Sequence, residues 1–187
     1  MKIWLTTDTH FGHDKMMEYC GRPKGFERKI LENLKVINGE DLLIHLGDFC
    51  IGQDIKWHRW FEGIVPCKKW LIKGNHDRKS NSWYLRNGWD WVGAKFQDKF
   101  FGKNILFSHT PIRFENEKSG LHISDNFDIN IHGHFHNNLH RLQEGRFVVE
   151  GEKERNEVDL ANLTKKHKLL AIENTNYQPV LLEKFIQ

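Results

Sequence analysis

Apolar residues in this chain come in short runs that stop abruptly at polar side chains. Residues 3–5 (Ile-Trp-Leu), 42–44 (Leu-Leu-Ile), 70–72 (Trp-Leu-Ile), 105–107 (Ile-Leu-Phe) and 129–131 (Ile-Asn-Ile) read as buried strands. Between them the spacing turns helical. Phe26, Ile30, Leu31, Leu34 and Ile37 predict a helix over 26–37, stopped by Asn38-Gly39. Trp57, Trp60, Phe61 and Ile64 share one face of a predicted helix over 55–64, and that face reads as core, not as a platform for stacked bases. Shorter helices are expected over 14–20, ended near Gly21 and Pro23, and from Ser80 or Asn81 to Leu85, closed by Asn87-Gly88. Residues 89–107 look strand-like, with a hairpin turn at 102–104.

The rest is less patterned. Residues 113–126 form a polar segment long enough to be a functional loop, and residues 150–155 read as a charged turn or loop. A strand is expected over 169–172, and Pro179 is expected to open a short closing helix. Lys165-Lys166-His167-Lys168 reads as a solvated helix face. There is no linker, internal repeat or low-complexity segment.

Length and charge narrow the choices. At 187 residues the chain is expected to form a single domain over 1–187, large enough to bury a real core. A net charge of +3 is too small to argue for nucleic acid or an anionic membrane. Residues 1–4 lead straight into a strand and no 18-residue apolar run exists, so neither signal peptide nor membrane span is expected. Cys20, Cys50 and Cys67 form no CxxC pair and read as free thiols of a reducing cytosol, which makes the expected location cytoplasmic. Twelve histidines is a high count, and it is the one compositional clue to chemistry.

Many of those histidines lie where the apolar runs end. The five strands lead into Asp8/His10, Asp48, Asn75/His76, His109 and His134/His136, all from residue types that ligate metals. In open α/β sheets, ligands bind outside the carboxyl ends of the strands. Gly47, Gly74 and Gly133 stand just before three of these groups and allow a tight turn and a close approach to whatever is bound. The set divides into two sites: Asp8, His10 and His136 for one ion, Asn75, His109 and His134 for the other, with Asp48 bridging. Mixed nitrogen and oxygen donors favour two divalent transition ions from among Mn, Fe, Zn, Ni and Co over Mg or Ca without choosing between them, and Mn is taken as the first expectation. Two ions about 3.5–4 Å apart generate a hydroxide nucleophile at neutral pH and stabilise in-line displacement at phosphorus. His76, adjoining Asn75 and followed by Asp77, suits proton donation to a leaving oxygen, with Asp77 as its orienting carboxylate or as a helix cap.

The series Asp8-x-His10, Gly47-Asp48, Gly74-Asn75-His76-Asp77, His109 and Gly133-His134-x-His136 resembles the calcineurin-like metallophosphoesterases, in the same order and across residues 8–136. The resemblance implies an α/β fold of four layers, an αββα sandwich, with a dinuclear centre at the strand ends and His76 as the catalytic residue. The wider wording, including His13 and Arg22-Pro23, is similar to a small stand-alone subgroup of bacteria and their phages. Cys50 falls where purple acid phosphatases carry a metal-binding Tyr, which argues against that branch and makes Cys50 a packing residue. His13 and Arg22 are candidates for substrate contact, Arg22 through its fork geometry. Lys73 and Arg113 read as solvated surface, and His58 and His140 receive no role.

These features imply a phosphoesterase attacking with a metal-bridging hydroxide, preferring phosphodiesters to monoesters. A nucleotide, a cyclic phosphate or a nucleic-acid end would each be admitted. The rival readings are a binding scaffold of the same fold without catalysis, which should lack a ligand or the catalytic His, and a nuclease, for which a basic stripe would be expected.

Overall fold

The computed structural model describes residues 1–112, 126–137 and 165–187. Strands β1 (Ile3–Thr6), β2 (Leu42–His45) and β3 (Lys68–Ile72) run parallel, with Ile3 beside Leu42 and Leu42 beside Lys68. Side chains alternate across a strand, so this sheet has two apolar faces. Trp4, Leu43 and Leu71 point to one side, where they pack with helices α2 (Phe26–Leu34) and α3 (Asp54–Ile64). Ile3, Leu5, Leu42, Ile44 and Ile72 point to the other, toward the second sheet. Leu5, Ile44 and Ile72 are fully buried there, and each such side chain stabilises the fold by about 1.5–3 kcal/mol. Single-turn helix α1 (Met16–Tyr19) adds Met16 to the helical side.

Helix α4 (Asn81–Arg86) begins at Ser80, whose hydroxyl accepts from Trp83 N at 3.2 Å. β4 (Trp91–Gly93) follows as the parallel neighbour of β3. The second sheet holds β5 (Lys95–Phe100), β6 (Lys103–Ser108), β7 (Ile129–His132) and β8 (His167–Leu169) in that order. β5 and β6 are an antiparallel hairpin, whereas β6, β7 and β8 are parallel. Ile105, Phe107, Ile129 and Ile131 face the first sheet and complete the shared core. A 3-10 turn (Ile172–Thr175) leads to β9 (Val180–Leu181), antiparallel to β1, and to α5 (Leu182–Phe185). The chain is thus a mixed α/β structure with two sheets flanked by helices. Among the described residues no helix is long and apolar enough to cross a membrane, and Cys20, Cys50 and Cys67 are free and buried.

Several local expectations change. The strand-like stretch 89–107 is divided at Ala94, so that β4 belongs to the first sheet and β5 to the second. Its hairpin turn is Phe101-Gly102, both at positive φ as a tight two-residue turn requires. The strand expected over 169–172 ends at Leu169, since Ile172 already begins the 3-10 turn. Val180 and Leu181 form an edge strand on β1 before the closing helix starts. Lys165 and Lys166 are exposed in a turn while His167 and Lys168 lie in β8, so the basic run is not helical. Trp60 is 51% exposed, unlike its neighbours Trp57 and Phe61 on the same helix. Residues 113–125, the 150–155 segment, Arg113 and His140 lie outside the described residues.

Candidate metal centre

The loops leaving the strands are stitched together beyond the sheets. Asp8 N donates to Gly47 O at 2.9 Å, His10 N to Asp48 O and Phe11 N to Phe49 O at 3.0 Å, so the β1–β2 ladder continues past the last strand residue. Gly133 N donates to His109 O at 3.0 Å and does the same for β6 and β7. Asp8, His10, Asp48, His134 and His136 all sit at positive φ, between 47° and 73°. Left-handed backbone is uncommon for residues with a Cβ, and such strain persists where surrounding structure enforces it, typically at functional sites. Here it turns five ligand-type side chains into one space.

Asp8 is fully buried. Its Oδ2 accepts from the Thr7 hydroxyl and from His134 N at 3.0 Å. Its Oδ1 has no hydrogen-bond partner and lies 3.8 Å from His10 Nε2 and 3.7 Å from His136 Nε2. Both ring nitrogens of buried His10 also lack a partner. Asp48 accepts from His76 N through Oδ1 at 2.8 Å. Its Oδ2 stands 3.6 Å from His10 Nε2, 3.3 Å from His109 Nε2 and 4.0 Å from His76 Nε2. His109 Nδ1 donates to Leu46 O at 2.8 Å, which leaves Nε2 to face Asn75 Oδ1 and His134 Nδ1, each 3.1 Å away.

These residues fit a pair of cations. Donors about 2.0–2.2 Å from a shared ion stand roughly 3.0–3.5 Å apart in octahedral or tetrahedral geometry. The separations from Asp8 and Asp48 to His10, His109 and His136 run from 3.3 to 3.8 Å, at or slightly beyond that spacing and too long for direct hydrogen bonds in most cases. Buried polar atoms without partners are costly, and an ion would satisfy Asp8 Oδ1 and His10 Nε2 together. Asp8-His10-His136 and Asp48-His109-His134 are both compact enough to hold one, as is His10-Asp48-His76.

Charge supports the same view. Burial pushes the Asp8 carboxyl up, but His136 and His109 outweigh it and hold the pKa at about 2. For Asp48, burial is again overcome, by the His109 hydrogen bond and charge, leaving it at about 2. Burial depresses His109 and His136, yet Asp48 and Asp8 carry His109 up to about 9, and Asp8, Cys20 and Glu173 carry His136 up to about 10. Two buried carboxylates thus require positive charge beside them. A divalent ion would supply that charge and release the imidazolium protons. His134, lowered to about 4 by burial and by His109, and His10, pushed well below the usual imidazole range by burial, are neutral imidazoles suited to ligation.

The glycines act differently from the expectation that they let a bound molecule approach. A Cβ on Gly74 would collide with Asp48 Oδ1 and lie 2.6 Å from Asp48 N. On Gly133 it would collide with Thr7 Oγ1 and Asp8 Oδ2. Both glycines make room for the protein's own carboxylates.

Two further expectations need correction. Asp77 does not orient the His76 ring: its Oδ2 accepts from Asp48 N at 2.7 Å and Gly74 N at 2.8 Å, and its Oδ1 from Phe49 N at 3.1 Å. It latches the β2 loop to the β3 loop. Burial, the largest cause, raises its pKa to about 6 against those three bonds. Arg22 is buried and its fork faces the protein, with Nε and Nη2 on Glu173 Oε1 at 2.9 and 2.6 Å, Nη1 on Thr9 O at 2.9 Å and Nη2 on Asp8 O at 2.6 Å. It braces the loop that carries Asp8 and His10. Half-buried His13 does lie beside the centre, its ring 5.5 Å from His10 and 6.1 Å from His76. Lys73 Nζ donates to Lys79 O at 2.7 Å. His58 lies in an aromatic nest with Phe49 and Trp83.

Two contributors are not foreseen from sequence. His45 accepts from Gly47 N at 3.1 Å and reaches Thr9 Oγ1 at 3.0 Å, and Thr9 in turn donates to Phe49 O at 2.7 Å. Its place inside an apolar strand was the available signal. Glu173 meets His136 Nδ1 at 3.1 Å across 37 residues of chain, and nothing local marks it.

The family model described as calcineurin-like phosphoesterase matches residues 1–161. The chain belongs to that family. An uncharacterized protein of Methanocaldococcus jannaschii is 26% identical over 194 residues, covering 100% of this chain and 90% of that protein. A crystal structure of a protein of unknown function from Aquifex aeolicus superposes with a TM-score of 0.69 at 25% identity, covering 99% of this chain and 97% of that one. Phosphate-ester hydrolysis and dependence on a dinuclear metal centre are the chemistry of the calcineurin-like family.

Proposed function

We propose that this chain is a dinuclear-metal phosphodiesterase acting as one domain over residues 1–187, with Mn first among its candidate ions. Asp8, His10 and His136 would hold one ion, Asn75, His109 and His134 the other, with Asp48 shared. The observation that carries this reading is the position of Asp48 Oδ2, 3.6 Å from His10 Nε2 on one side and 3.3 Å from His109 Nε2 on the other. A single carboxylate oxygen therefore faces both groups. The single-domain reading is supported by β9 pairing with β1 and by the Arg22–Glu173 ion pair, which tie the two ends of the chain together.

When bound, the ion pair supplies an activated water nucleophile at neutral pH and charge neutralisation on the phosphoryl group. The chain's own residues do the rest. His76 is anchored through its backbone N–H to Asp48, while its side chain is 33% exposed, so its ring overhangs the centre from the solvent side. From there Nε2 donates a proton to the leaving oxygen. Asp77 keeps the Asp48 and Gly74 loops in register, which fixes where His76 starts. His13 flanks the same opening with a buried, unpartnered Nδ1 and serves as a substrate-side group. Asn75 is exposed on this side too.

A Mn-loaded activity screen tests the proposal with aryl monoesters, aryl diesters, cyclic nucleotides and oligonucleotides. Diester turnover exceeding monoester turnover is expected. His76→Gln should keep two ions and lose about 10²–10⁴-fold in kcat. Metal-loaded protein inactive on every substrate would refute the enzymatic reading, and an unchanged kcat in His76→Gln would remove His76 from catalysis.

A further inference from the structure

The closing segment of the chain reaches the metal centre through Glu173. This residue sits in the 3-10 turn Ile172–Thr175, outside the residues 1–161 that the family model matches. The turn is fixed from both directions. Ile172 and Tyr177 are buried in the helical-side core, and Asn33 Nδ2 donates to Tyr177 O at 2.9 Å while Lys29 Nζ donates to Asn176 Oδ1 at 2.6 Å. β9 then adds to the edge of β1.

Glu173 Oε1 lies 3.1 Å from His136 Nδ1 and 2.6 Å from Arg22 Nη2, with side-chain exposures of 4% for Glu173, 12% for His136 and 0% for Arg22. Arg22 continues the circuit to Asp8 O and Thr9 O. An ionised carboxylate only accepts hydrogen bonds, so the 3.1 Å contact to Glu173, shorter than the 3.5 Å approach of Arg22 Nη2 to the same nitrogen, puts the hydrogen on His136 Nδ1. In the neutral ring the lone pair then belongs to Nε2, the nitrogen 3.7 Å from Asp8 Oδ1. Carboxylates that hold the far nitrogen of a ligating imidazole fix its tautomer and ring orientation.

We infer that Glu173 is a positioning residue for the ion held by Asp8, His10 and His136, acting through His136 and locked in place by Arg22. The inference rests on the metal-centre reading above. A rival use of the same atoms exists, because Cys20, His136 and Glu173 themselves lie close enough to hold a cation. The Arg22 guanidinium at 2.6 Å from Glu173 Oε1 would face that cation directly, and this like-charge contact favours the positioning role.

The test titrates metal-free wild type, Glu173→Ala and Glu173→Gln with Co(II), reading the visible absorption of each bound ion against a competing chelator, alongside metal-free melting curves. Wild type should bind two ions. Glu173→Ala should weaken one of them by about 10–100-fold and leave the other unchanged. Glu173→Gln keeps an acceptor oxygen and should recover most of the loss. The inference is overturned if Glu173→Ala binds both ions as wild type does, if both ions weaken equally with a large fall in metal-free Tm, or if Gln gives no recovery. A thiolate-to-cobalt charge-transfer band in wild type would overturn it in favour of a site at Cys20. Wild type that binds no cobalt would remove the metal-centre reading and this inference with it.

Discussion

Replacing Gly74 by Ala places one methyl group where the Asp48 carboxylate now lies. The new Cβ would overlap Asp48 Oδ1 and stand 2.6 Å from Asp48 N and 2.8 Å from Asp48 Cγ. None of these atoms is the free end of a flexible side chain. Asp48 N is held by Asp77 at 2.7 Å, and Oδ1 is held by His76 N at 2.8 Å. Overpacking of this kind costs about 1–3 kcal/mol. Swinging Oδ1 away loses a hydrogen bond to a charged acceptor, about 1.5–3 kcal/mol more. Together these give about 2.5–6 kcal/mol, or a fall in Tm of about 5–24 °C at roughly 2–4 °C per kcal/mol for this chain length. Because the moved group is Asp48, affinity for both ions should fall as well, by at least about tenfold. Gly63→Ala is the matched control: it lies inside α3 with nothing within 4 Å of its added Cβ. That change should raise stability by about 0.5–1 kcal/mol through helix propensity. Scanning calorimetry of the metal-free proteins and Mn titration of each supply the readings. A Gly74→Ala protein that melts with wild type and binds two ions normally would refute the argument that these loops meet only at a glycine.

Two further outcomes test the electrostatics. Mn(II) at 100 times its Kd should stabilise each occupied site by about 2.7 kcal/mol, raising Tm by about 5–11 °C per site; a Tm indifferent to both Mn(II) and chelator would count against the centre. Asp41, bonded by Lys2 N at 2.8 Å, Trp4 Nε1 at 3.0 Å and Asn38 N at 3.2 Å, has its pKa lowered chiefly by the Lys2 N–H. A depressed carboxylate stabilises fully above its unfolded pKa, about 3.9, and that stability drains away as pH falls through the lower folded value. Asp41→Asn should therefore lose less stability than wild type between pH 5 and pH 2, by urea melts at each pH; parallel acid limbs would show that Asp41 contributes nothing through its charge.

The amino-acid sequence by itself determined the strands and the kinds of atom at their ends. Runs such as Leu42-Leu43-Ile44 are too short and too apolar for anything but buried strands, and in a parallel sheet their carboxyl ends must share one edge. The seven ligand-type residues were therefore legible as a series of strand ends, and the packing of two sheets decided that all those ends meet at one centre. Tertiary structure decided what local periodicity does not carry. Residues 89–107 look uniformly strand-like, yet backbone partners on β3 and β6 assign their two halves to different sheets. Asp77 follows His76 in sequence, but the nearest unsatisfied N–H groups belong to Asp48, Phe49 and Gly74, and a buried carboxylate takes the donors that surround it. Arg22 has the fork for a phosphate, and its buried neighbours are Glu173, 151 residues away, and two backbone carbonyls of the ligand loop. Glu173 itself, in a polar stretch with no motif, gains its relation to His136 only because β9 returns to β1 and carries the preceding turn against the centre. Local sequence specifies period and residue chemistry, whereas the partner of a buried charge is set by whichever distant element the fold packs against it.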